Sequence, residues 1–419
     1  MINLRDIDDP AFRAGAIAKG ATTEQLDELA SSDSARRALL LEVEELRKQC
    51  NSVSKEIGNA SPEDRPAKIE AANALKQDLK AIEGKLTAAE ADTKERALQI
   101  PNPAHSSVPT GDEEDFELVV SVGEQNAAPA IDHADFGAAM GWVNSDKGAE
   151  VAGSRFAYLQ REAVLLEFAL VQWTMQKLVA RSFIPTVPPV LVREQMMIDS
   201  GFFPADKQQV YPVTGDDLFL VGTSEVPLAG LHRGDRFDAA DLPLRYAGFS
   251  SCFRREAGTH GKDTRGIFRV HQFDKVEMFI WSDPAKSWEE HELLLEIERE
   301  ILDELALPYR VINVASRDLG NPAAKKYDCE VWLPSEGAYR ELTSCSNYTD
   351  YSARRLGTRT KGEGGTEFVH TLNGTACAVG RTLVFLMEHY QQSDGSFAVP
   401  DVLQPFCGFS SVESRDLAN

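Results

Sequence analysis

The chain has 419 residues, of which 66 are acidic and 44 basic, so its formal net charge is −22. This length predicts two or three domains, and a hydrophobic share of 42% is typical of a globular protein. The negative charge argues against sequence-blind binding to DNA or RNA, which needs a broad positive field, but it leaves room for a local basic patch.

Neither the cysteines nor the first residues indicate secretion. The six cysteines show no CxxC or zinc-like spacing, and we expect them to be reduced thiols. The opening residues, MINLRDIDDPAFR, are charged and do not resemble a signal peptide. Because no apolar run approaches the roughly 18 residues of a membrane-spanning helix, we expect a cytoplasmic protein with no membrane partner.

Residues from about 24 to 98 are rich in Ala, Leu, Glu and Lys and carry two heptad seams. Gly58 is expected just past the end of a first helix, with Ser61 and Pro62 at the start of a second. The pattern predicts an arm of two antiparallel helices, each of about 30 residues and roughly 45 Å long. A partner-binding arm and a dimerisation device are both open interpretations. The seam positions are Leu39, Val43, Leu46, Cys50, Val53 and Ile57, and Ala72, Leu75, Leu79, Ile82, Leu86 and Ala89.

Prolines at 101, 103 and 109 mark a linker after the arm, and mixed strand and helix signals follow. The strand signals cluster without regular βα alternation, so we expect an α+β fold, with a mainly antiparallel β-sheet flanked by helices. The predicted domains are residues 1–105, which include the arm, and residues 106–419. The predicted helices begin near Gly153, cover about Ser287 to Leu305, and run from Gly380 to about Gln391.

The segment Phe253–Phe279 packs six Lys and Arg residues into 27 positions of an acidic chain. Its flanks alternate polar and apolar residues and its middle, AGTHGKDTRG, is rich in glycine and charge, which predicts two strands joined by a long loop. Several guanidinium groups aimed at one spot suit a polyphosphate. A solvated basic hairpin is the alternative, but Glu256, Phe273 and Glu277 in the same segment favour a binding site.

Three other stretches have a similar polar character. Thr223-Ser224-Glu225 follows an apolar strand, and the segment from Glu341 to Ser344 offers oxygen ligands of the kind that Mg²⁺ prefers. Asn373-Gly374-Thr375 leads into a predicted helix that carries Arg381 near its start, which favours a phosphate site. Each stretch alone also fits a turn cap or a solvated face, but their joint occurrence in one domain favours a shared site.

These motifs resemble those of the class II aminoacyl-tRNA synthetases, and specifically the seryl-tRNA synthetase family, over nearly the whole chain. FRREAG with RVHQFDKVE is similar to motif 2, VPPVLV with Pro189 to the end of motif 1, and LNGTACAVGRTL to motif 3. VGTSEVPL and ELTSCSN match the seryl branch. The resemblance implies a class II catalytic domain that activates L-serine with ATP to seryl-adenylate. It then implies transfer of serine to the 3′ end of tRNA(Ser), with tRNA(Sec) as a further option.

The resemblance also implies roles for single residues, with ATP and Mg²⁺ as cofactors. Arg254 would hold the α-phosphate and the substrate carboxylate, while Arg269 and Arg381 would clamp the γ-phosphate. Glu256 would contact the adenine, on which Phe273 would stack. The implied catalytic residues are Arg254, Glu256, Arg269 and Arg381. The implied ATP-binding residues are Arg254, Arg255, Glu256, Val270, His271, Gln272, Phe273, Glu341, Leu342, Thr343, Ser344 and Arg381.

Serine and Mg²⁺ would bind beside the nucleotide. Glu341 and Ser344 would coordinate Mg²⁺ between the phosphates. Glu277 would pair with the substrate's polar groups, most simply its α-ammonium, and Thr375 would bind the serine hydroxyl. Because alanine lacks this hydroxyl, the contact would exclude alanine without editing. The implied serine-binding residues are Thr223, Ser224, Glu225, Arg254, Glu277, Asn373 and Thr375.

Members of this family use the arm to grip the long variable arm of serine tRNA across a homodimer, largely through shape and backbone. This arm is acidic, however: residues 24–98 carry 12 basic and 16 acidic residues, a net charge of 12 − 16 = −4. Its basic residues are candidate phosphate contacts, and i,i+4 salt bridging is an equally good interpretation. The candidate tRNA contacts are Arg36, Arg37, Arg47, Lys48, Lys55, Lys76 and Lys80, with Lys85 nearby.

The motif 2 loop departs from the family, because Thr259-His260 stands where a serine and an aromatic residue are usual. His260 is interpreted as a contact to the tRNA end or as a solvated side chain, not as a catalytic base. The motif 3 turn also departs, with Ala376 and Cys377 after Thr375.

Three other functions share features of this sequence. An amino acid–carrier protein ligase shares the catalytic fold but lacks the long arm and carries a zinc-binding cysteine pattern, and a non-catalytic derivative would not need the arginines. A duplicated isoform with a biosynthetic or inhibitor-resistance role would have the same chemistry.

Overall fold

The structure is a computed structural model that describes residues 1–127, 129, 131–258, 263, 265–362 and 365–415. The chain divides into two compact units, Met1–Pro103 and Ala104–Asn419. The first unit is helical, and the second combines helices with a large sheet.

Some helices, including the first two, begin at a residue whose side chain caps them. Asp9 accepts a hydrogen bond from the Ala11 amide at 2.7 Å, and Thr22 and Gln25 form a reciprocal capping box. The α-helices of the described residues are α1 (Pro10–Ala18), α2 (Thr23–Gly58), α3 (Arg65–Gln99), α4 (His133–Ala139), α5 (Ser145–Ala152), α6 (Glu162–Ala180), α7 (Glu194–Ser200), α8 (Glu225–Leu231), α9 (Ser287–Glu304), α10 (Tyr351–Leu356), α11 (Val379–Tyr390) and α12 (Gln404–Cys407).

One large sheet dominates the second unit. Among the described residues it has eight strands in the order β1-β10-β11-β12-β15-β9-β8-β4. Its neighbours are antiparallel except for the parallel pair β4 and β8. The strands are β1 (Glu117–Val122), β2 (Val143–Asn144), β3 (Tyr158–Leu159), β4 (Ile184–Thr186), β5 (Leu191–Val192), β6 (Phe219–Leu220), β7 (Arg236–Asp238), β8 (Leu244–Phe253), β9 (Gln272–Ser282), β10 (Tyr309–Asn313), β11 (Lys325–Leu333), β12 (Ala338–Asn347), β13 (Arg359–Gly362), β14 (Gly365–Phe368), β15 (His370–Ala378), β16 (Phe397–Ala398) and β17 (Ser411–Val412).

The main core forms where α6, α9 and α11 contribute apolar residues to the sheet. Leu166, Leu294 and Phe385 from these helices are fully buried in one cluster with Met278 of β9. Burial of such side chains is the main favourable term in folding. The α+β prediction, with a mainly antiparallel sheet flanked by helices, is confirmed.

The predicted helix start near Gly153 was wrong. Gly153 follows α5 with a φ of +103°, and β3 lies between it and α6. A positive φ cannot continue a right-handed helix, and it favours glycine. The apolar positions before Glu162 therefore belong to a separate short helix and a strand.

The expectation that no apolar run reaches membrane-spanning length was also wrong. Helix α6 has 19 residues and an 18-residue window with a mean hydropathy of 1.2, which by length and composition alone is enough to cross a membrane. Of that window, 39% is buried inside the structure. Core helices of soluble proteins meet the same criterion.

The long helices of the first unit form the predicted antiparallel arm. Ser32 lies 2.8 Å from Thr93, and Arg47 lies 2.8 Å from Glu83, so early residues of α2 meet late residues of α3. Every predicted seam position is buried or half-buried. The two heptad seams therefore face each other, as a coiled-coil seam requires.

The turn of the arm differs from its prediction. Gly58 is the last residue of α2, and α3 begins at Arg65 with Pro66 in its first turn, not at Pro62. The Ser61 hydroxyl lies 2.7 Å from the Asp64 carboxylate and accepts from the Asp64 amide at 3.2 Å. Ser61 thus closes a turn before the helix, and this turn replaces the predicted N-cap.

Candidate active site

A cavity of about 290 Å³ opens on the central strands of the main sheet. Most of the predicted site residues line it, although they come from distant parts of the sequence. The predicted residues that line the cavity are Thr223, Glu225, Arg254, Glu256, Arg269, Val270, Phe273, Glu277, Glu341, Leu342, Ser344, Asn373, Thr375 and Arg381.

Strand register brings these residues together. In the antiparallel pair β9 and β15, Glu277 lies directly opposite Thr375. The predicted hairpin is present as β8 and β9, with Phe253 opposite Gln272. Strand β12, which carries Glu341, pairs with β15 on one side. Side chains on one face of adjacent strands lie within contact distance, so a single sheet face supplies most of the cavity floor.

Other predicted residues have different surroundings. The Ser224 hydroxyl donates to the Gly248 carbonyl at 3.3 Å, and the Thr343 hydroxyl donates to Glu298 at 3.0 Å. Neither lines the cavity in the part of the chain that the structure describes, and the same holds for Arg255, His271 and Gln272. Thr259 and His260 of the motif 2 loop lie outside the described residues.

Several cavity residues were missed. Lys275 could have been found, because it alternates with Phe273 and Glu277 on one face of β9. Tyr348 follows directly on β12, whereas Lys326 needs the pairing of β11 with β12, which no local pattern reveals. The missed cavity residues are Phe202, Ile267, Phe268, Lys275, Gly320, Ala323, Lys326, Ser346, Tyr348, Ala378 and Gly380.

The arginines Arg254, Arg269 and Arg381 all line the cavity. Arg254 donates to the Gly222 carbonyl at 3.2 Å, and its guanidinium lies 5.3 Å from the centre of the Phe273 ring. Arg381 donates to the Glu341 carbonyl at 2.9 Å. Burial lowers the pKa of Arg381; Glu341 raises it in part, and nearby arginines lower it further. These cations therefore form a concentrated positive region suited to an anionic ligand.

Arg269 is held by two carboxylates. Its Nη1 lies 2.8 Å from Glu256 Oε2 and its Nε lies 3.0 Å from Asp263 Oδ2. Glu256 has a φ of +49°, which is unusual for a residue other than glycine. Such backbone strain is commonly found where a side chain must be aimed at a site.

The other end of the cavity holds two buried carboxyl groups. Glu225 and Glu277 are only 5% and 2% exposed. Burial, with Glu277 nearby, raises the pKa of Glu225 to about 8. Burial also raises the pKa of Glu277, although Lys275, which forms an ion pair with it, opposes the shift. This end of the cavity suits a ligand that brings its own positive charge.

The donor set fits Mg²⁺ only as a partner of the nucleotide. Glu341 and Ser344 line the cavity and offer a carboxylate and a hydroxyl. Among the described residues, no group of three or more His, Cys, Asp or Glu side chains could hold a metal. Mg²⁺ is commonly bound by one or two protein oxygens together with substrate phosphates and water, so this sparse set is compatible with it.

The candidate tRNA contacts of the arm fall into two classes. Arg36 and Arg37 both pair with the buried Asp33, at 2.6 and 3.0 Å. Arg47 pairs with Glu83 at 2.8 Å, and Lys48 lies 4.0 Å from Glu45. Lys55, Lys76 and Lys80 are exposed and form no ion pair with the described residues.

Two family models match the chain. The seryl-tRNA synthetase N-terminal domain matches residues 2–104, and the tRNA synthetase class II core domain (G, H, P, S and T) matches residues 211–390. Together they include the arm and most of the cavity residues. Both units of the chain are therefore similar to parts of one family of enzymes.

Full-length relatives lead to the same family. Serine–tRNA ligases from Mycobacterium bovis and Streptomyces coelicolor are each 47% identical and span 98% of this chain, with 98% and 99% of their own lengths covered. The crystal structure of seryl-tRNA synthetase from Pyrococcus horikoshii complexed with ATP superimposes with a TM-score of 0.92. It has 35% identity and covers 99% of this chain and 100% of its own. With its paired-helix arm and its polar cavity on an antiparallel sheet, this chain belongs to the seryl-tRNA synthetase family of class II aminoacyl-tRNA synthetases.

Proposed function

We propose that this enzyme activates L-serine with ATP in the cavity and transfers it to the 3′ end of tRNA(Ser). The observation that carries the proposal is that one cavity is lined both by three arginines, here called its cationic end, and by the buried carboxyl groups of Glu225 and Glu277, here called its acidic end. A polyphosphate fits the first, and the ammonium group of an amino acid fits the second. Membership of the seryl-tRNA synthetase family supports serine as the amino acid.

The reaction needs no covalent nucleophile from the protein. The serine carboxylate attacks the α-phosphorus of ATP, pyrophosphate leaves, and a terminal ribose hydroxyl of the tRNA then attacks the activated carbonyl. Arg254 stabilises the negative charge that develops on the α-phosphate, and Arg269 and Arg381 hold the γ-phosphate. Positioning and electrostatic stabilisation account for most of the acceleration in such a site.

Metal and adenine have their own contacts. Glu341 and Ser344 would hold Mg²⁺, which neutralises phosphate charge when bound. Glu256 and Phe273 would contact the adenine ring. Phe273 already lies beside a guanidinium, so an adenine that enters would join an existing stack.

Serine specificity arises at the acidic end. Glu277 and Glu225 would bind the ammonium group, and Thr375, which lies opposite Glu277, would bind the hydroxyl. Because alanine has the ammonium group but no hydroxyl, it would leave Thr375 unpaired, and it is therefore rejected strongly. Threonine must be rejected by the size of the pocket.

The carrier-protein alternative is not favoured. The chain matches full-length serine–tRNA ligases, including the N-terminal domain that a carrier-protein ligase would lack. The described residues also contain no metal-binding group of three or more His, Cys, Asp or Glu side chains.

We further propose that residues 1–105 bind tRNA through the arm and that residues 106–419 form the catalytic domain. A homodimer is supported by exposed apolar residues on α6 and the edge strand β4: Leu165, Phe168 and Ile184 are 47%, 62% and 47% exposed. Such a surface is costly in water and is usually covered in an assembly. A cytoplasmic location agrees with the free cysteines.

The first prediction concerns Arg254. The variant Arg254→Ala should lower serine-dependent ATP–pyrophosphate exchange about 100-fold or more, because it removes a charged donor from the transition state. Arg255→Ala is the matched control, since that neighbouring arginine does not line the cavity, and it should retain activity within about threefold. Equal losses in both variants would contradict the role of Arg254.

The second prediction concerns pH. Because the pKa of Glu225 lies near 8 in the serine-free cavity, its carboxyl group is mostly protonated at pH 6 to 7. A bound ammonium group favours the ionised form, so serine binding should release a proton and tighten by up to about tenfold per pH unit from pH 6 to 7.

Calorimetry in two buffers with different ionisation heats measures this proton release. Glu225→Gln cannot ionise, so its serine affinity should be lower and nearly independent of pH over the same range. Absence of proton release by the unmodified enzyme would show that serine binding does not ionise Glu225.

The third prediction concerns the arm. Lys76→Glu with Lys80→Glu should raise the KM for tRNA(Ser) at least about tenfold, because the double variant replaces two unpaired cations with anions near the phosphate backbone. Serine-dependent pyrophosphate exchange should be unchanged, since no tRNA takes part in that step. Arg36→Gln is the control, because this arginine is already paired with the buried Asp33. An unchanged tRNA KM in the double variant would remove these lysines from the interface.

A further inference from the structure

Arg340 lies next to the phosphate-binding arginines without lining the cavity. It precedes Glu341 on β12, and its Nη2 lies 2.8 Å from Asp263 Oδ1. Its Nη1 pairs with Glu336. Neither Arg340 nor its contact with Asp263 has a role in the function proposed above.

Asp263 connects Arg340 to Arg269. While one carboxylate oxygen accepts from Arg340, the other lies 3.0 Å from Arg269 Nε. Asp263 lines a second, neighbouring cavity of about 500 Å³ and is not part of the lining of the first. The carboxylate therefore reaches Arg269 from outside the proposed ATP cavity, on the side away from its ligand.

Phe268 connects Arg340 to Arg381. The Arg340 guanidinium lies 4.4 Å from the centre of the Phe268 ring, and the Arg381 guanidinium lies 4.9 Å from the same ring. Phe268 is 5% exposed and lines both cavities, so it forms part of the wall between them. Guanidinium groups against an aromatic ring are attracted to it and lose orientational freedom.

These contacts leave the ligand-facing donors available. A guanidinium has five N–H groups, and Glu256 and Asp263 accept from only two of those of Arg269. The remaining donors can still bind a phosphate. The outer contacts therefore fix the direction of the guanidinium before ATP binds. Because the side chain is already ordered, binding costs less conformational entropy.

We propose that Arg340, through Asp263 and Phe268, is a positioning residue that holds Arg269 and Arg381 for the γ-phosphate of ATP. This inference rests on the γ-phosphate role of those two arginines proposed above. Arg340 itself does not touch the nucleotide. Its loss should therefore weaken only ligands that carry a γ-phosphate.

The test compares ATP with AMP, which lacks the β- and γ-phosphates. In the full-length enzyme with Mg²⁺, calorimetry should show that Arg340→Gln weakens ATP binding roughly tenfold. A loss of this size is expected when an arginine that contacts the γ-phosphate is misoriented. AMP binding should stay within about twofold. Asp263→Asn should give the same selective loss, and the double variant should add little, because both changes break one shared contact.

Arg310→Gln is the matched control. Arg310 also pairs with a carboxylate, Glu330, and lies 4.7 Å and 4.8 Å from the ring centres of Phe116 and Tyr339. It does not line the ATP cavity in the described structure. Its replacement should leave the affinities for both nucleotides unchanged, which shows that removal of a stacked, paired arginine is not enough to produce the effect.

Arg269→Gln separates the inference from the function on which it rests. If Arg269→Gln leaves the difference between ATP and AMP affinity intact, the γ-phosphate role fails and the inference with it. If Arg269→Gln reduces the difference between ATP and AMP affinity but Arg340→Gln and Asp263→Asn do not, only the positioning role is overturned. Equal weakening of ATP and AMP, or tighter ATP binding in Asp263→Asn, would also overturn it.

Discussion

The site depends on holding several positive groups close together before an anionic substrate arrives. Like charges repel one another, so a group of arginines in one cavity needs fixed carboxylates around it. Glu256 and Asp263 pair with Arg269, and a carboxylate oxygen of Glu341 lies 3.7 Å from Arg381. These pairs offset the repulsion and also fix the direction of the guanidinium groups. This arrangement supports the proposal that the cavity binds a polyphosphate.

The sheet makes this arrangement possible because its central strands are far apart in sequence and adjacent in space. β9 pairs with both β8 and β15, and β15 pairs with β12. A site built on strands is held more precisely than a site built on loops. The acidic end of the cavity, at Glu277 and Thr375, lies on this rigid part. The cationic end includes residues from the motif 2 loop, which carboxylates tie to the sheet.

Much of the fold was predictable from local patterns. The heptad seams of the arm predicted its two helices, because the spacing of apolar residues and the capping residues are local features of the sequence. The helix boundaries were predicted less accurately. The helices after Ser61 and Gly153 both begin later in the chain than predicted, because Ser61 closes a turn by a hydrogen bond and Gly153 has a positive φ. The apolar content of α6 was also underestimated.

The site was predictable where a motif concentrates charge, as in the hairpin that carries Arg254 and Arg269. Residues such as Lys326 and Phe202 were missed because they reach the cavity through strand pairing and chain folding, which leave no local signal. Arg340 was missed for a related reason. Its partners, Asp263 and Phe268, lie more than 70 positions away, and its proposed role acts through these two residues on other arginines, not on a substrate.

Ion pairs between arginines and carboxylates also occur in the acidic arm. Several of its arginines pair with neighbouring carboxylates, while Lys76 and Lys80 on α3 are exposed and form no ion pair with the described residues. A weakly charged arm suits recognition by shape, since salt-sensitive, sequence-blind attraction to nucleic acid is reduced.

The most direct test of the central claim is ATP–pyrophosphate exchange by the full-length enzyme across a panel of amino acids. Serine should support exchange, and alanine and glycine should be slower by at least about 1,000-fold in kcat/KM, because they lack the hydroxyl that Thr375 would bind. Exchange with alanine or glycine at a rate comparable to that with serine would contradict a pocket that recognises the serine hydroxyl through Thr375.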